Sequence, residues 1–134
     1  MSSSPESIAS EFLRAREQGD LDKVLELLSE DAVSTDGARG VHRGVDAIKA
    51  VLTEIGTSAP SVSRNVKSIV ANNSMVIMER LDSCTLRDKI IQYEIAVAFD
   101  IDSAGRIKRW HEHYDRQSIL DQISADDLPA PGSS

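Results

Sequence analysis

The chain has 134 residues, which suits one domain of roughly 100–200 residues, and that length can bury about two-thirds of the unfolded surface without a metal or disulfide staple. Apolar residues make up 40 % and charged residues 28 %, which excludes disorder throughout. Fifteen basic against twenty-two acidic residues leave a formal charge of −7, a poor match for nucleic acid or an anionic membrane, and the lone Cys84 excludes an internal disulfide.

Met1–Ser4 is expected to be a disordered lead, followed by one domain over residues 5–123. The opening Met1–Glu6 is polar and has no apolar h-region, so neither signal peptide nor membrane span is expected, and the expected location is the cytoplasm. Pro5 to about Ser29 reads as helix, interrupted at Gly19-Asp20. Ser4 caps its start, Pro5 suits the first turn, and Glu6 favours the positive end of the dipole. Ile8, Phe12, Ala15 and Arg16 mark one side of the first helix. Asp20 caps the second, where Leu21, Val24, Leu25 and Leu28 recur at i, i+3, i+4 and i+7. Ala32–Thr35 fits a short strand, and Asp36–Gly44, with three glycines, reads as a loop. Val45–Ile55 is a third helix with Ala47, Ile48, Val51, Leu52 and Ile55 on its apolar face and Gly56 as its stop. Thr57–Ser63 reads as a Ser/Pro linker.

The pattern then changes. Val62–Val70, Met75–Asp82, Ile90–Asp100 and Ile107–Tyr114 are β-rich, separated by Ala71-Asn72-Asn73, Ser83–Lys89 and Asp102–Gly105. Asp115 caps a short last helix that runs to about Ile123, and 124–134 is expected to be a loose tail. Helices first, then consecutive strands with short turns, imply an α+β fold whose antiparallel sheet is packed by helices on one face. A curved sheet of this kind encloses a pocket between sheet and helices.

Chemistry depends on which polar residues point inward. Alternate residues of a strand share a face. Met78, Arg80 and Asp82 therefore lie on one face, opposite Glu79 and Leu81. Trp110, Glu112 and Tyr114 lie on one face, opposite His111, His113 and Asp115. If Met78 and Trp110 face the pocket, one guanidinium and two carboxylates enter a partly apolar cavity. If the facing is inverted, His111 or His113 becomes the base candidate. The bland alternative for the trio is a solvated cluster or a cross-strand salt bridge.

Glu79-Arg80-Leu81-Asp82 resembles the Arg-x-Asp strand of the limonene-1,2-epoxide hydrolase family, and Trp110-His111-Glu112-His113-Tyr114-Asp115 resembles its Trp-Arg-Asp-Tyr-Phe-Asp strand. Gly19-Asp20, Asp31-Ala32-Val33 and Gly44–Ile48 are similar to the helical half, so the resemblance covers about residues 8–120. Much of it is shared with the wider superfamily of cone-shaped, cystatin-like α+β domains that includes nuclear transport factor 2, ketosteroid isomerase and the SnoaL-type polyketide cyclases. The resemblance implies a curved mixed or antiparallel sheet, three N-terminal helices, a short C-terminal helix, and a homodimer through the outer sheet face, supported by exposed apolar strand residues such as Leu81. It also implies cofactor-free epoxide hydrolysis, or epoxide-opening cyclisation, of a hydrophobic small molecule. By position, Asp82 would be the acid, Glu112 the base and Arg80 the bridge between them. Acid and base acting together open a strained ring without a covalent intermediate.

The sequence departs from that pattern at three positions. Glu112 stands where the family has Asp, and Ser34 and Asp36 stand where it has a water-holding Tyr and Asn. Asp36 also lies where ketosteroid isomerases carry their base. This leaves a SnoaL-type cyclase or isomerase with Asp36 as proton acceptor as a rival, alongside a turn aspartate bonding its own backbone. Substituted site positions also leave room for a binding domain without chemistry.

Met78, Trp110 and Tyr114 would line the pocket, with Ser34 and Asp36 positioning substrate or water. Asp115 is expected to be a helix cap, and Cys84 a turn residue with no nucleophile role. His111 and His113 lack a third ligand nearby, since His42 is the remaining histidine, so no metal site is expected. The seven glycines form no nucleotide fingerprint, so no cofactor is implied.

Overall fold

A computed structural model describes residues 3–37, 39–58 and 62–123, with backbone alone for 56–58. Met1 and Ser2 of the expected lead, the middle of the expected linker and the expected tail 124–134 lie outside the described residues. Helix α1 spans Pro5–Glu17. It starts where Ser4 accepts a hydrogen bond from the Ser7 amide, with proline in the first turn. Gly19 takes a left-handed φ of 69° after its end. Asp20 then caps α2, Leu21–Leu27, through the Lys23 amide.

Strand β1 follows at once as Leu28–Asp36, so Leu28 is a strand residue and not the last rung of a helical stripe. It is buried either way, and its pairing with Ile107 of the last strand captures it for the sheet. The glycine-rich stretch is not all loop. Gly40–Arg43 forms β2, antiparallel to β1, with Ser34 opposite His42 and Asp36 opposite Gly40. The glycines sit at the turn and at its end, where Gly40 and Gly44 have φ of 81° and 88°, and leave Val41-His42-Arg43 free to pair.

Helix α3 is Val45–Ser58 and runs through Gly56, which does not stop it. Val62 and Ser63, read as linker, open β3, Val62–Ala71. Strands β4, Met75–Leu86, and β5, Lys89–Ile101, extend further than their apolar runs. The expected turn Ser83–Lys89 shrinks to Arg87-Asp88, with Arg87 at φ 56°. The residues before it pair across the hairpin as Ser83 with Gln92, Cys84 with Ile91 and Thr85 with Ile90. Cys84 is thus a strand residue. Strand β6 is Ile107–Tyr114, and helix α4 is Arg116–Leu120, capped by Asp115 through the Gln117 amide.

The six strands lie in the order β2-β1-β6-β5-β4-β3. Neighbours are antiparallel except β1 and β6, which run parallel, so the sheet is mixed. Register shifts interrupt β1, β3 and the β5–β6 pair and add to the curvature. The helices pack on the concave face. Phe12 of α1 sits edge-on to Phe99 and Trp110, with centroids 5.7 and 4.9 Å away, and fills one end of the cone. Val76, Met78, Val97, Ile48 and Ile107 complete that plug with zero exposure. Beyond it the concave face opens into a hollow. No helix among the described residues is long and apolar enough to cross a membrane.

Candidate functional site

The hollow is a cavity of about 240 Å³ between the concave sheet, α1 and α3. Val51, Leu52 and Ile55 of α3 form an apolar wall, and the sheet supplies the polar floor. Strand alternation sends Arg80 and Asp82 of β4 into the cavity together, and Trp110, Glu112 and Tyr114 of β6 likewise. Glu79 and His113 point to the exposed face. Met78, expected on the pocket wall, does not line the cavity; it lies deeper, in the core plug.

Arg80 joins the two carboxylates. Its Nε donates to Asp82 Oδ1 at 3.1 Å and its Nη2 to Asp82 Oδ2 at 3.0 Å, the fork geometry that guanidinium and carboxylate share. Nη2 also donates to Glu112 Oε2 at 3.2 Å. The side chains of Arg80 and Asp82 are 3 % and 2 % exposed, and Glu112 is 12 % exposed, so the trio sits largely out of water. Breaking a pair this buried leaves an uncompensated charge.

Arg16 is a cavity-lining side chain that the sequence does not single out as a site residue. It projects from the last turn of α1, its guanidinium 4.9 Å from the Trp110 ring centroid and 3.9 Å from Glu112 Oε1. Burial pushes it down to about 10, against the attraction of Glu112 and with repulsion from Arg64 and Arg80 adding to the fall. It remains charged near neutrality. Its position one helical turn beyond Phe12 on the apolar side was the available signal.

Asp36 stands beside Glu112 in the parallel β1–β6 register, as Ser34 stands beside Trp110. Tyr114 donates its hydroxyl to Asp36 Oδ1 at 2.8 Å. Arg39 at the β1–β2 turn lies 3.8 Å from Oδ2 and donates its amide to Oδ1 at 3.4 Å. Asp36 therefore both lines the cavity and braces its own turn. Burial, then the Asp36 contact, raises the Tyr114 phenol above its usual range. Tyr93 is pushed up to about 12, by burial first and then by Asp82. Ser34 is buried at the cavity wall, and His42, on β2, also reaches it. Cys84 lines the cavity too; burial raises its thiol pKa, which disfavours a thiolate.

His111 and His113 lie on the outer face with their rings stacked 3.8 Å apart. Burial, then His113 and Arg109, pulls the His111 pKa down. The outer face also carries Val70 opposite Ile77, both exposed, while Leu81 is half-buried.

A curved mixed sheet closed by helices over a polar-floored hollow defines the cone-shaped α+β domains of the NTF2-like fold. A family model described as a SnoaL-like domain matches residues 9–110, and the chain belongs to that family. No curated protein matches the sequence. Among solved structures, a Mycobacterium tuberculosis LEH-like epoxide hydrolase superposes with a TM-score of 0.75 at 22 % identity, over 87 % of this chain and 86 % of that one. An NTF2-like protein of Burkholderia pseudomallei gives 0.81 at 18 % identity, over 92 % and 99 %. A protein of ketosteroid isomerase-like fold from Catenulispora acidiphila, solved with trimethylamine, gives 0.79 at 17 % identity, over 95 % and 100 %. Identities at this level speak to the fold alone.

Proposed function

We propose that the protein is a cofactor-free epoxide hydrolase, or an epoxide-opening cyclase where a substrate hydroxyl replaces water, acting on a small hydrophobic molecule. One observation carries the reading: a single buried guanidinium holds two carboxylates from neighbouring parts of the sheet inside one hollow. Glu112 takes a proton from water through Oε1, the oxygen turned away from Arg80. The water oxygen attacks one epoxide carbon and the carbon–oxygen bond breaks. Asp82, protonated, gives its proton to the departing oxygen, and a diol results. The two carboxyls end with exchanged protonation, and exchange with solvent resets them. Arg80 fixes the distance between them through its planar fork. Ser34, Asp36 and Tyr114 would position the water, and Trp110 would face the substrate. The LEH-like neighbour supports this reading as an analogy of fold.

The rival uses Asp36 as base for proton transfer beside a carbonyl. Asp36 faces the cavity, but Tyr114 and Arg39 already engage its oxygens. A cavity of about 240 Å³ also falls short of the roughly 300–1,000 Å³ that drug-sized ligands occupy. A polycyclic ketone is therefore a poor fit. The assay that decides is turnover of small lipophilic epoxides by wild type, Asp82→Asn and Glu112→Gln, with circular dichroism to confirm folding. Each substitution should cost about 10²–10⁴-fold, the usual yield of a positioned acid or base. Equal turnover in all three proteins eliminates the mechanism. Turnover of no small substrate at all favours a binding domain, and full activity of Asp36→Asn on a ketone substrate removes the rival.

A further inference from the structure

Four guanidiniums line the cavity, those of Arg16, Arg39, Arg64 and Arg80, against three carboxylates, Asp36, Asp82 and Glu112. This excess of positive charge lies inside a chain whose net charge is −7. Each carboxylate already has a cation: Asp82 has Arg80, Glu112 has Arg80 and Arg16, and Asp36 has Arg39. Arg64 is left over. It stands directly opposite Asp82 in the β3–β4 ladder, yet both Asp82 oxygens are held by the Arg80 fork. Among the described residues no carboxylate lies within ion-pair distance of the Arg64 guanidinium. Arg64 is half-buried on the concave face, and the repulsion it exerts on Arg16 across the cavity reflects the same inward reach.

A cation directed into a cavity, with no anion paired to it among the described residues, is matched by an anion on the ligand. We propose that the substrate carries a carboxylate, which Arg64 receives while the reacting group faces Arg80, Asp82 and Glu112. This rests on the ring-opening reading and narrows it, from any small hydrophobic epoxide to one with an anionic end. A planar carboxylate fits the donor fork of arginine through two parallel hydrogen bonds. The positive cavity of an acidic protein would also select such a ligand over a neutral isostere.

The test uses two unreactive probes of one shape, phenylacetate and phenylacetamide. Binding to the full chain is measured by calorimetry and by fluorescence of Trp110, the sole tryptophan, which lines the cavity. Wild type should bind the acid about tenfold or more tightly than the amide, the range of a charge-assisted hydrogen bond. Arg64→Gln should erase that preference by weakening the acid alone, and Arg64→Lys should restore part of it. Three results overturn the proposal: equal binding of both probes by wild type, a preference that survives in Arg64→Gln, or binding of neither probe at millimolar concentration. Loss of both probes together in Arg64→Gln overturns it as well, since that marks a structural role. The ring-opening reading is judged separately on Asp82→Asn and Glu112→Gln with neutral epoxides. An acid preference without epoxide turnover retires ring opening alone, and turnover without the preference retires the carboxylate alone.

Discussion

Arg80 shows how a buried charge on a strand is kept. Its fork satisfies Asp82, its Nη2 reaches Glu112, and no charge of the trio is left bare in the hollow. Alternation along β4 and β6 made the common facing of Arg80, Asp82, Glu112 and Trp110 legible in the sequence, because no bulge interrupts the pairing over those residues. Arg64 was not legible. Strand β3 is exposed at most positions and shifts register between Val66 and Ser68, so parity says little there. Met78 misled because alternation gives the face and not the depth. Tyr93 provides a test by pH. Its phenol, ordinarily near 10, is pushed up to about 12, so the folded chain holds that proton more tightly than the unfolded one. The stability this confers is full below pH 10 and is lost as pH climbs towards about 12. The urea-unfolding free energy of wild type minus that of Tyr93→Phe should therefore fall across that interval. A difference that stays flat or rises would contradict the assignment.

At the scale of elements, caps and apolar spacing placed the helices, and apolar runs placed the four consecutive strands. What escaped was pairing between polar segments. Strand β2 is too short and too polar to announce itself, and it exists because β1 offers a free edge. The Arg87-Asp88 turn lacks the Asn-Gly or Asp-Gly signature of a two-residue hairpin, so the sequence hides how far β4 and β5 extend. Gln122 completes one further piece of the sheet: its side chain accepts from the Gln92 amide at 3.0 Å and donates to the Gln92 carbonyl at 2.6 Å, beyond the end of β6. Gly44 joins β2 to α3 with φ 88° and donates its amide to the Ala32 carbonyl at 2.7 Å. A Cβ there would meet only the Glu30 carbonyl oxygen at 3.9 Å, an ordinary van der Waals contact, so the cost of Gly44→Ala is conformational. It should destabilise the protein by about 1–2 kcal/mol, read as a lower urea midpoint. An unchanged midpoint would mean that the β2–α3 corner relaxes freely.

For the whole molecule, the outer sheet face is the surface still unaccounted for. Val70 and Ile77 pair in register there and are 71 % and 46 % exposed. On the proposal of a homodimer through this face, light scattering behind a sizing column should give twice the chain mass, and Ile77→Lys should reduce it to one. A wild-type monomer would remove the dimer from the reading. The parallel seam between β1 and β6 reaches furthest in consequence. It sets Ser34 beside Trp110 and Asp36 beside Glu112, partners more than half the sequence apart. Contacts of such separation form late, because the intervening chain must first be confined. A polypeptide still leaving the ribosome can wind its helices and close the β3–β4 hairpin, but it has no receptor for a ligand until its last strand docks. Binding competence thus arrives only once β6 has been made and has paired with β1.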